Sequence, residues 1–366
     1  MNFYEEVGNF MWDSPKSGPG RFLSNCLWPA AVAYGTAAWL RERIYRLGLL
    51  DATVASAPVI SVGNITLGGS GKTPLVMELA REFHARGARP VILTRGYGGS
   101  DRAKAHIVSQ GDDAFAVGDE ALLLARSLPS VPVVRGAARH DAAIYAEKFY
   151  NPGLYILDDG FGHLKLKRDF DIVVVDAHRG FGNSRVFPAG PLREPLTALR
   201  RANVIIIRHD EDDPDTGAIR ELTLRKYAAE VPVIKMRPVI EGLVREPGGA
   251  AQPVQLIENK RVFAFSGIAN PDSFDRILRR AGFMPVEHLR YPDHHNYRPG
   301  EIAEISRAER LDVGAVITTE KDLVRFGPKG CIGKLPLFAI RIRMEVERLE
   351  WLIQQIQSKI SDRPGI

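Results

Sequence analysis

Short runs of apolar residues recur along the chain, and helical or loop stretches separate them. The runs are continuous rather than alternating with polar residues, which is typical of strands covered on both faces of a parallel sheet. The stretches between them are mostly long enough for crossover connections. The pattern therefore predicts an α/β fold with a mainly parallel sheet. The predicted strands are 58–62, 90–93, 154–157, 172–175, 204–207 and 231–234.

A change in composition after residue 234 predicts a second, smaller α/β domain. Residues 236–260 are rich in proline and glycine, which is typical of a linker with extended pieces. Apolar patterns resume near Arg261, with predicted strands at 262–265 and 315–319 and predicted helices at 272–280 and 299–310. The expected organisation is an N-terminal helical segment over 1–50, a core domain over 51–235, the linker over 236–260 and a C-terminal domain over 261–366.

Residues 22–40 form a stretch of 19 residues without a charged side chain, with arginines on both sides. A membrane-spanning helix needs about 20 predominantly apolar residues, whereas this stretch contains Pro29 and Gly35. Trp28 and Trp39 near arginines indicate a helix that lies on an anionic membrane surface. A helix packed on the protein core is the alternative. A signal peptide is not expected, because the heavier basic cluster follows the stretch instead of preceding it.

The composition narrows the class of protein only a little. The chain has 366 residues, of which 45% are hydrophobic, and these values exclude collagen-like, disordered and coiled-coil classes. Its two cysteines, Cys26 and Cys331, can form neither a disulfide framework nor a four-cysteine zinc site, which favours a reducing, cytosolic compartment. The net charge of +5 admits nucleotides, nucleic acid or anionic lipid as partners and selects none of them.

The segment from Thr66 to Thr73 has the residue types of a phosphate-binding loop. It matches the pattern G-x-x-x-x-G-K-[ST], except that Thr66 occupies the first glycine position. A predicted strand precedes the segment and a helical pattern over 73–86 follows it, as such a loop requires. Glycines let backbone amides close on phosphate oxygens, while Lys72 can reach the β- and γ-phosphates and Thr73 can hold magnesium. The alternative is a glycine-rich turn with a solvent-exposed lysine. The expected nucleotide-binding residues are Thr66, Gly68, Gly69, Ser70, Gly71, Lys72 and Thr73.

A magnesium-binding carboxylate is expected at the end of another buried strand, and the chain offers two candidates. One predicted strand ends in Asp158 and Asp159, and another ends in Asp176. The double aspartate is favoured, because paired carboxylates can divide magnesium binding between direct and water-mediated contacts. A turn or helix-capping role is the alternative for each of them.

Eight segments together resemble the tetraacyldisaccharide 4'-kinase family, and the resemblance extends over most of the chain. Their order and spacing make it specific. Thr or Ser also occupies the Thr66 position in that family, whereas Gly162 stands where the family usually has glutamine. The segments are VGNITLGGSGKTP (62–74), TRGYGG (94–99), GDE (118–120), LDDGFGH (157–163), FPAGPLREP (187–195), FSGIANPDSF (265–274), YPDHHNY (291–297) and TTEKD (318–322).

The resemblance implies a P-loop NTPase-type kinase of lipid A biosynthesis. Such an enzyme uses ATP and Mg²⁺ to phosphorylate the 4'-hydroxyl of tetraacyldisaccharide 1-phosphate, giving lipid IVA and ADP. It implies a peripheral protein on the cytoplasmic face of the bacterial inner membrane. The implied partners are the acylated glucosamine disaccharide 1-phosphate and the anionic membrane surface, without nucleic acid.

The resemblance also implies roles for individual residues. Asp119 of the GDE segment pairs with His294 of the DHH segment to activate the sugar hydroxyl. The magnesium site is formed by Thr73, Asp158, Asp159 and Glu194. Further phosphate or sugar contacts are expected from Arg193, Arg95 and the loop at 97–98.

The residues alone leave other roles open for this pair. Asp119 precedes a helical pattern, so a helix N-cap is the simpler interpretation. His294 and His295 could belong to a surface loop or, with Asp293, to a zinc site, although adjacent histidines without a third spaced ligand seldom form one. Because 175 positions separate Asp119 from His294, their pairing requires a cleft between the two predicted domains.

Two other functions compete with a kinase. One is a P-loop GTPase or metallochaperone-type NTPase. Guanine recognition usually uses an N-K-x-D motif, but here Asn259 and Lys260 are followed by Arg261 and Val262. A nucleic-acid-dependent ATPase would suit the basic charge, but the chain has neither a basic-aromatic stripe nor a recognised nucleic-acid motif.

Overall fold

A computed structural model of the chain describes residues 12, 19–101, 103–210, 214–327 and 331–361. Contacts divide the chain into two units. The first unit contains Met1–Lys72, Leu154–Arg237 and Glu345–Ile366, and the second contains Thr73–Gly153 and Pro238–Met344. The second unit therefore combines an early and a late part of the chain. The domain boundaries expected from the sequence stay a prediction.

Strands and helices alternate along most of the described chain. The strands are β1 (Val59–Gly63), β2 (Pro90–Thr94), β3 (His106–Ile107), β4 (Val133–Arg135), β5 (Leu154–Asp158), β6 (Phe170–Asp176), β7 (Val204–Arg208), β8 (Val233–Val244), β9 (Arg261–Ser266), β10 (Met284–Arg290), β11 (Ala315–Thr319), β12 (Cys331–Ile332) and β13 (Leu335–Val346). The α-helices are α1 (Pro19–Cys26), α2 (Trp28–Arg46), α3 (Lys72–Ala85), α4 (Ala114–Val117), α5 (Asp119–Ser127), α6 (Arg139–Glu147), α7 (Pro214–Tyr227), α8 (Pro271–Arg280), α9 (Pro299–Ile305), α10 (Glu320–Phe326) and α11 (Leu349–Ser361). Short 3₁₀ helices occupy Leu196–Arg201, Val254–Leu256 and Ser306–Arg310.

The first unit has a parallel sheet in the order β5, β1, β6, β7 and the start of β8. Every residue of β1, β5, β6 and β7 is buried, as expected for a parallel sheet covered on both faces. Helix α7 packs against β7, and α11 packs against β6. The core around Val173, Ile205 and Leu199 lies on one of these faces.

The second unit contains two groups of strands. Strands β10, β9, β11 and β13 are parallel in that order, and β12 pairs antiparallel with β13. In the other group β2 pairs parallel with β4, and β3 pairs antiparallel with β4. Alternate residues of β9 enter two different cores, with Val262 and Ala264 in one and Phe263 and Phe265 in the other. Because side chains alternate across a strand, the sheet around β9 is covered on both faces.

The sequence-based prediction of a parallel-dominated α/β fold is confirmed. Each of the predicted strands is present, and β8 continues to Val244 through the first part of the expected linker. The predicted helix over 299–310 is α-helical only to Ile305 and continues as a 3₁₀ helix. The hydroxyl of Ser306 donates to the carbonyl of Ile302 at this transition, a contact that competes with regular helical hydrogen bonding.

The uncharged stretch over residues 22–40 is divided between α1 and α2, which are separated at Leu27. Pro29 lies in the first turn of α2, where the lack of an N–H costs no intrahelical hydrogen bond. Ser24 is buried and donates to the carbonyl of Ala189 at 3.0 Å, whereas Trp28 and Trp39 are 55% and 51% exposed. Among the described residues, none of the helices combines the length and the hydropathy that a bilayer crossing requires.

Candidate active site

The predicted phosphate loop joins β1 to the first turn of α3. Gly68 and Gly71 have φ angles of 84° and 86°, which glycine adopts without steric cost. The side-chain amide of Asn64 donates to Thr66 Oγ1 at 3.2 Å, so the threonine at the first glycine position stabilises the turn. Ser70 Oγ is buried and has no hydrogen-bond partner among the described residues. Since buried hydroxyls are normally hydrogen-bonded, Ser70 suits an oxygen of a bound phosphate.

Two cations meet one carboxylate beside this loop. Lys72 Nζ lies 3.5 Å from Asp159 Oδ1, and Arg193 Nη1 donates to Asp159 Oδ2 at 2.8 Å. Asp159 has a φ of 53°, a left-handed conformation that costs a non-glycine residue about 1–2 kcal/mol. Asp158 is buried at the end of β5, in register with Val62 of β1. Both aspartates therefore lie at the carboxyl end of the parallel sheet of the first unit.

The segment at 187–195 runs alongside the phosphate loop. Thr66 and Leu192 form an isolated antiparallel bridge. The amide of Arg193 donates to the carbonyl of Ile65 at 2.7 Å, and the amide of Leu67 donates to that of Pro191 at 2.8 Å. This pairing explains how Arg193, which is remote in sequence, reaches Asp159.

The residues predicted to bind magnesium offer oxygen donors, which are the ligands that this ion prefers. Glu194 Oε2 lies 2.8 Å from Arg201 Nη1. A Cβ atom on Gly162 would lie 3.4 Å from Glu194 Oε1, so the glycine leaves space beside this oxygen. Among the described residues, no group of three or more His, Cys, Asp or Glu side chains could hold a metal. Magnesium usually takes only one or two protein carboxylates and completes its shell with water and substrate phosphates, so Asp158 and Asp159 fit it. The assignment of Thr73, Asp158, Asp159 and Glu194 to the metal stays a prediction.

A second cluster of polar residues lies in the second unit, around the start of α5. Asp119 is the first residue of that helix, and its Oδ1 accepts from the amide of Glu120 at 2.8 Å. His294 Nδ1 lies 2.9 Å from Asp119 Oδ2 and 3.1 Å from Oδ1. The structure therefore brings the two residues of the predicted catalytic pair into hydrogen-bond contact. Their role in catalysis stays a prediction.

Two further cations face the Asp119 carboxylate. Arg325 Nε lies 3.1 Å from Asp119 Oδ2, and Lys321 Nζ lies 4.0 Å from the same atom. Burial alone would raise the pKa of Asp119, but the hydrogen bond from His294 and the charges of Lys321 and Arg325 lower it below the usual value. Asp119 is therefore an ionised carboxylate at neutral pH.

The loop that carries His294 is anchored on both sides of that residue. His295 Nε2 lies 2.8 Å from Glu301 Oε2, and the hydroxyl of Tyr297 donates to Asp322 Oδ1 at 2.7 Å. The ring of Tyr291 stacks on that of His295, with centroids 4.8 Å apart. These contacts stabilise His294 in a left-handed conformation with φ of 59°. Backbone strain of this kind is a feature of functional sites.

The TRGYGG segment packs against the start of α5. A Cβ atom on Gly118 would lie 2.8 Å from the carbonyl oxygen of Tyr97 and 2.9 Å from the backbone of Gly96, so only glycine permits this approach. The Tyr97 ring lies 5.1 Å from the His294 ring and is largely exposed, as is Arg95. Tyr97 therefore lies next to the Asp119–His294 pair, whereas the role of Arg95 stays a prediction.

Sequence reasoning missed three charged residues at these clusters, Lys321, Arg325 and Arg201. Lys321 belongs to the TTEKD segment, where the local signal indicates only a helix start: Thr319 Oγ1 accepts from the amide of Asp322 at 3.1 Å. Arg325 and Arg201 lie in the last turns of their helices, where basic residues are common. The contacts of Lys321 and Arg325 with Asp119 join parts of the chain that are distant in sequence, so no local pattern could have identified them. Arg201 is close in sequence to Glu194, but it lies outside the segments that carry the family resemblance.

A phosphate loop between a buried parallel strand and a helix, with an aspartate pair at the end of the neighbouring strand, defines a P-loop enzyme of the α/β class. The family model described as Tetraacyldisaccharide-1-P 4'-kinase matches residues 23–361. The chain belongs to this family.

Named relatives and a solved structure agree with that membership. The chain is 40% identical over 304 residues to a tetraacyldisaccharide 4'-kinase of Geobacter metallireducens, a match that covers 81% of this chain and 87% of the relative. It is 37% identical over 352 residues to one of Anaeromyxobacter dehalogenans, covering 93% of this chain and 90% of the relative. The crystal structure of "apo" form LpxK from Aquifex aeolicus in complex with ATP is similar, with a TM-score of 0.73 and 30% identity over 92% of this chain and 99% of that chain.

Proposed function

We propose that this chain transfers the γ-phosphoryl group of ATP to the 4'-hydroxyl of tetraacyldisaccharide 1-phosphate, giving lipid IVA and ADP. The observation that carries the proposal is the phosphate loop, with Lys72 at its end and the buried Ser70 hydroxyl inside it, in a chain of this family. The GTPase and metallochaperone alternative lacks a guanine-recognition motif and gains no support from the relatives.

The loop residues supply the binding part of the reaction. Backbone amides from Thr66 to Gly71 and the start of α3 favour the negative charge of the phosphates. Lys72 provides a cation for the transferring group, and its contact with Asp159 fixes the ammonium beside the loop. Magnesium, held by Thr73, Asp158, Asp159 and Glu194 together with the nucleotide, would neutralise charge on the phosphate oxygens.

The Asp119–His294 pair supplies the proton acceptor. Asp119 is ionised, so the Nδ1–H of His294 donates to it, and the lone pair of the neutral imidazole lies on Nε2. Asp119 is 4% exposed, whereas His294 is more accessible. The pair therefore accepts the proton of the sugar hydroxyl through its accessible partner, and Asp119 orients the ring and stabilises its charged form.

The acylated substrate suits the exposed apolar surface of the first unit. Helix α2 presents Trp28, Tyr34 and Trp39 to the outside. Beside it lies a cleft of about 460 Å³, lined by Val32, Trp39 and Val186 among others. We infer that this surface meets the anionic leaflet on the cytoplasmic face of the inner membrane, where exposed tryptophans favour the interface. The proposed function involves no nucleic acid as a partner.

The test of the activity is direct. The purified chain is incubated with labelled ATP, magnesium and an acylated glucosamine disaccharide 1-phosphate, and the lipid product is separated. The expected result is a doubly phosphorylated disaccharide. Phosphate release without lipid-dependent transfer would contradict the proposal, and stimulation of ATP hydrolysis by DNA would favour a nucleic-acid-dependent ATPase.

The test of the membrane partner uses sedimentation with vesicles that contain anionic lipid. We expect the parent protein to sediment at low salt and to be partly released at high salt. Salt screens the attraction between anionic lipid and the arginines that flank residues 22–40, and it does not weaken the apolar contacts with the membrane. Trp28→Ser with Trp39→Ser should weaken sedimentation without changing the melting temperature, since both side chains are exposed. Leu222→Ser, which alters an exposed apolar residue on α7, is the matched control. Equal sedimentation of all three proteins would contradict the membrane role of α2.

A further inference from the structure

Lys321 occupies the centre of the charged cluster around His294. Its Nζ lies 3.1 Å from Glu120 Oε1, 3.2 Å from Asp293 Oδ1 and 3.3 Å from His294 Nε2. Burial opposes its charge, but the carboxylates of Glu120, Asp119 and Asp293 outweigh that effect and raise the pKa of Lys321 above its usual value. Lys321 is therefore an ammonium ion at neutral pH.

An ammonium group has three donors and no acceptor, so its contact with Nε2 is possible only when that nitrogen carries a lone pair. The other ring nitrogen, Nδ1, faces the ionised Asp119 and must carry the proton. Two independent contacts, one on each nitrogen, thus select the same neutral tautomer of His294.

The carboxylates near His294 would otherwise favour protonation of its ring. Asp119, Glu120 and Asp293 are anionic groups around the imidazole, and nearby negative charge favours its protonated form. A protonated imidazole has no lone pair with which to accept the proton of a hydroxyl. Lys321 and Arg325 are the cations that oppose these carboxylates. The other charged residues of the same helix, α10, are Asp322, which pairs with Arg325, and Glu320, which pairs with Arg341.

The two cations differ in their contacts. Arg325 is 3% exposed and also donates to the carbonyls of Gly267 and His295, so it joins three backbone segments. Its removal would disturb the whole loop. Lys321 makes its contacts through one terminal nitrogen, to groups that belong to the pair or adjoin it in sequence.

We propose that Lys321 is a positioning residue for the Asp119–His294 pair, which keeps His294 neutral and leaves Nε2 unprotonated for the acceptor hydroxyl. This inference rests on the proposed function. When the sugar hydroxyl of the substrate binds, it replaces the Lys321 ammonium at His294 Nε2, because this is the longest of the three close contacts of Lys321. The ammonium keeps its contacts with Glu120 and Asp293. Lys321 itself neither gives nor takes the transferred proton.

The test combines kinetics with the protonation state of His294. Lys321→Met removes the charge and keeps much of the side-chain volume, and Lys321→Arg keeps the charge. Glu320→Gln is the matched control, because it alters an ion pair with Arg341 on the neighbouring residue of α10 and leaves the pair untouched. Lipid phosphorylation is measured from pH 5.5 to 9, and ¹⁵N-histidine spectra at pH 7 are assigned by comparison with His294→Gln.

For Lys321→Met we expect kcat at pH 7 to fall by up to about tenfold, the largest loss that a one-unit shift of the acid limb can cause, with KM for ATP unchanged. The acid limb of the pH profile should move upward by about one pH unit, because the pair binds a proton more readily without the cation. The His294 signals should change from the neutral Nδ1–H form to the imidazolium. Lys321→Arg and Glu320→Gln should keep the parental acid limb.

An unchanged acid limb and a neutral His294 in Lys321→Met would overturn the inference. If Lys321→Met does not fold, the ¹⁵N spectra of the folded parent test the inference. An imidazolium or an Nε2–H tautomer of His294 at pH 7 would overturn the inference, and the neutral Nδ1–H form would support it. Absence of lipid phosphorylation by the parent would instead contradict the proposed function, and the spectra would still report on Lys321.

Discussion

His294 Nδ1 lies 2.9 Å from Asp119 Oδ2, and this contact fixes the chemistry of both side chains. Asp119 is held as a carboxylate by the histidine and by the cations Lys321 and Arg325. In return, the contact orients the histidine ring, whose second nitrogen, Nε2, lies 3.3 Å from Lys321 Nζ. A pair arranged in this way meets the requirement of phosphoryl transfer for a group that accepts the hydroxyl proton.

Lys72 and Asp159 are expected to be essential for turnover. Lys72→Ala removes a cation from the transferring phosphoryl group, and Asp159→Ala removes both a predicted metal ligand and the partner of Lys72. Each variant should lower kcat about 100-fold or more while the thermal unfolding curve stays close to that of the parent. Lys167→Ala, which changes an exposed lysine of the same unit, should retain full activity. Parental turnover in either site variant would place the nucleotide chemistry elsewhere.

Gly118 is expected to be required for the position of Asp119. Its φ of 94° and its contact with the backbone of Gly96 and Tyr97 leave no room for a side chain. Gly118→Ala should lower both the melting temperature and kcat. Gly282→Ala is the control, because Gly282 has a φ of 83° and open space around it. This variant should lose only the free energy of placing alanine in a left-handed conformation, about 1 kcal/mol. A melting temperature and kcat for Gly118→Ala equal to those of Gly282→Ala would show that the close approach is unimportant.

His288 is expected to make stability depend on pH. Its Nε2 lies 2.8 Å from Ser266 Oγ and its Nδ1 lies 2.9 Å from Asp275 Oδ1. Burial lowers the pKa of His288, against the opposing effect of Asp275, so the unfolded chain takes up its proton at higher pH than the folded one. Its contribution to stability is therefore present above about pH 6.5 and decreases as the pH falls through that value.

The measurement is the melting temperature of the parent and of His288→Gln between pH 8 and pH 5. We expect the parent to be the more stable protein at pH 8, with a difference that narrows toward pH 5. His84→Gln, at an exposed histidine of the same unit, controls for the loss of a histidine. A difference that is constant or widens at low pH would contradict the assignment. Ser266 is fully buried, so this hydrogen-bonded chain is a structural feature of the second unit.

The strands were predictable because their buried faces leave continuous apolar runs, which depend on each strand alone. Strand β11 occupies Ala315–Thr319, the range that the pattern predicts, and β1 differs from the prediction by one residue at each end. The division of the N-terminal stretch at Leu27 was not predictable, because an uncharged sequence of this kind is compatible with one helix or two.

The phosphate loop was predictable for the same local reason, since its glycines and Lys72 are adjacent in sequence. The Asp119–His294 contact could be inferred only through the family resemblance, because the local signal of Asp119 is that of a helix start, and it does begin α5. The contacts of Lys321 and Arg325 depend on how α10 packs against α5. Packing between elements distant in sequence leaves no periodic pattern along the chain.

The most direct test of the account is a double-mutant cycle on the lipid kinase activity with Asp119→Ala, His294→Ala and the variant carrying both substitutions. The cycle measures kcat/KM for the acylated disaccharide at saturating ATP and magnesium, with circular dichroism confirming that each variant is folded. If the two side chains act as one unit, the double variant should lose little beyond the worse single variant. Losses that add fully, or a single variant with parental activity, would contradict the claim that Asp119 and His294 together accept the proton of the sugar hydroxyl.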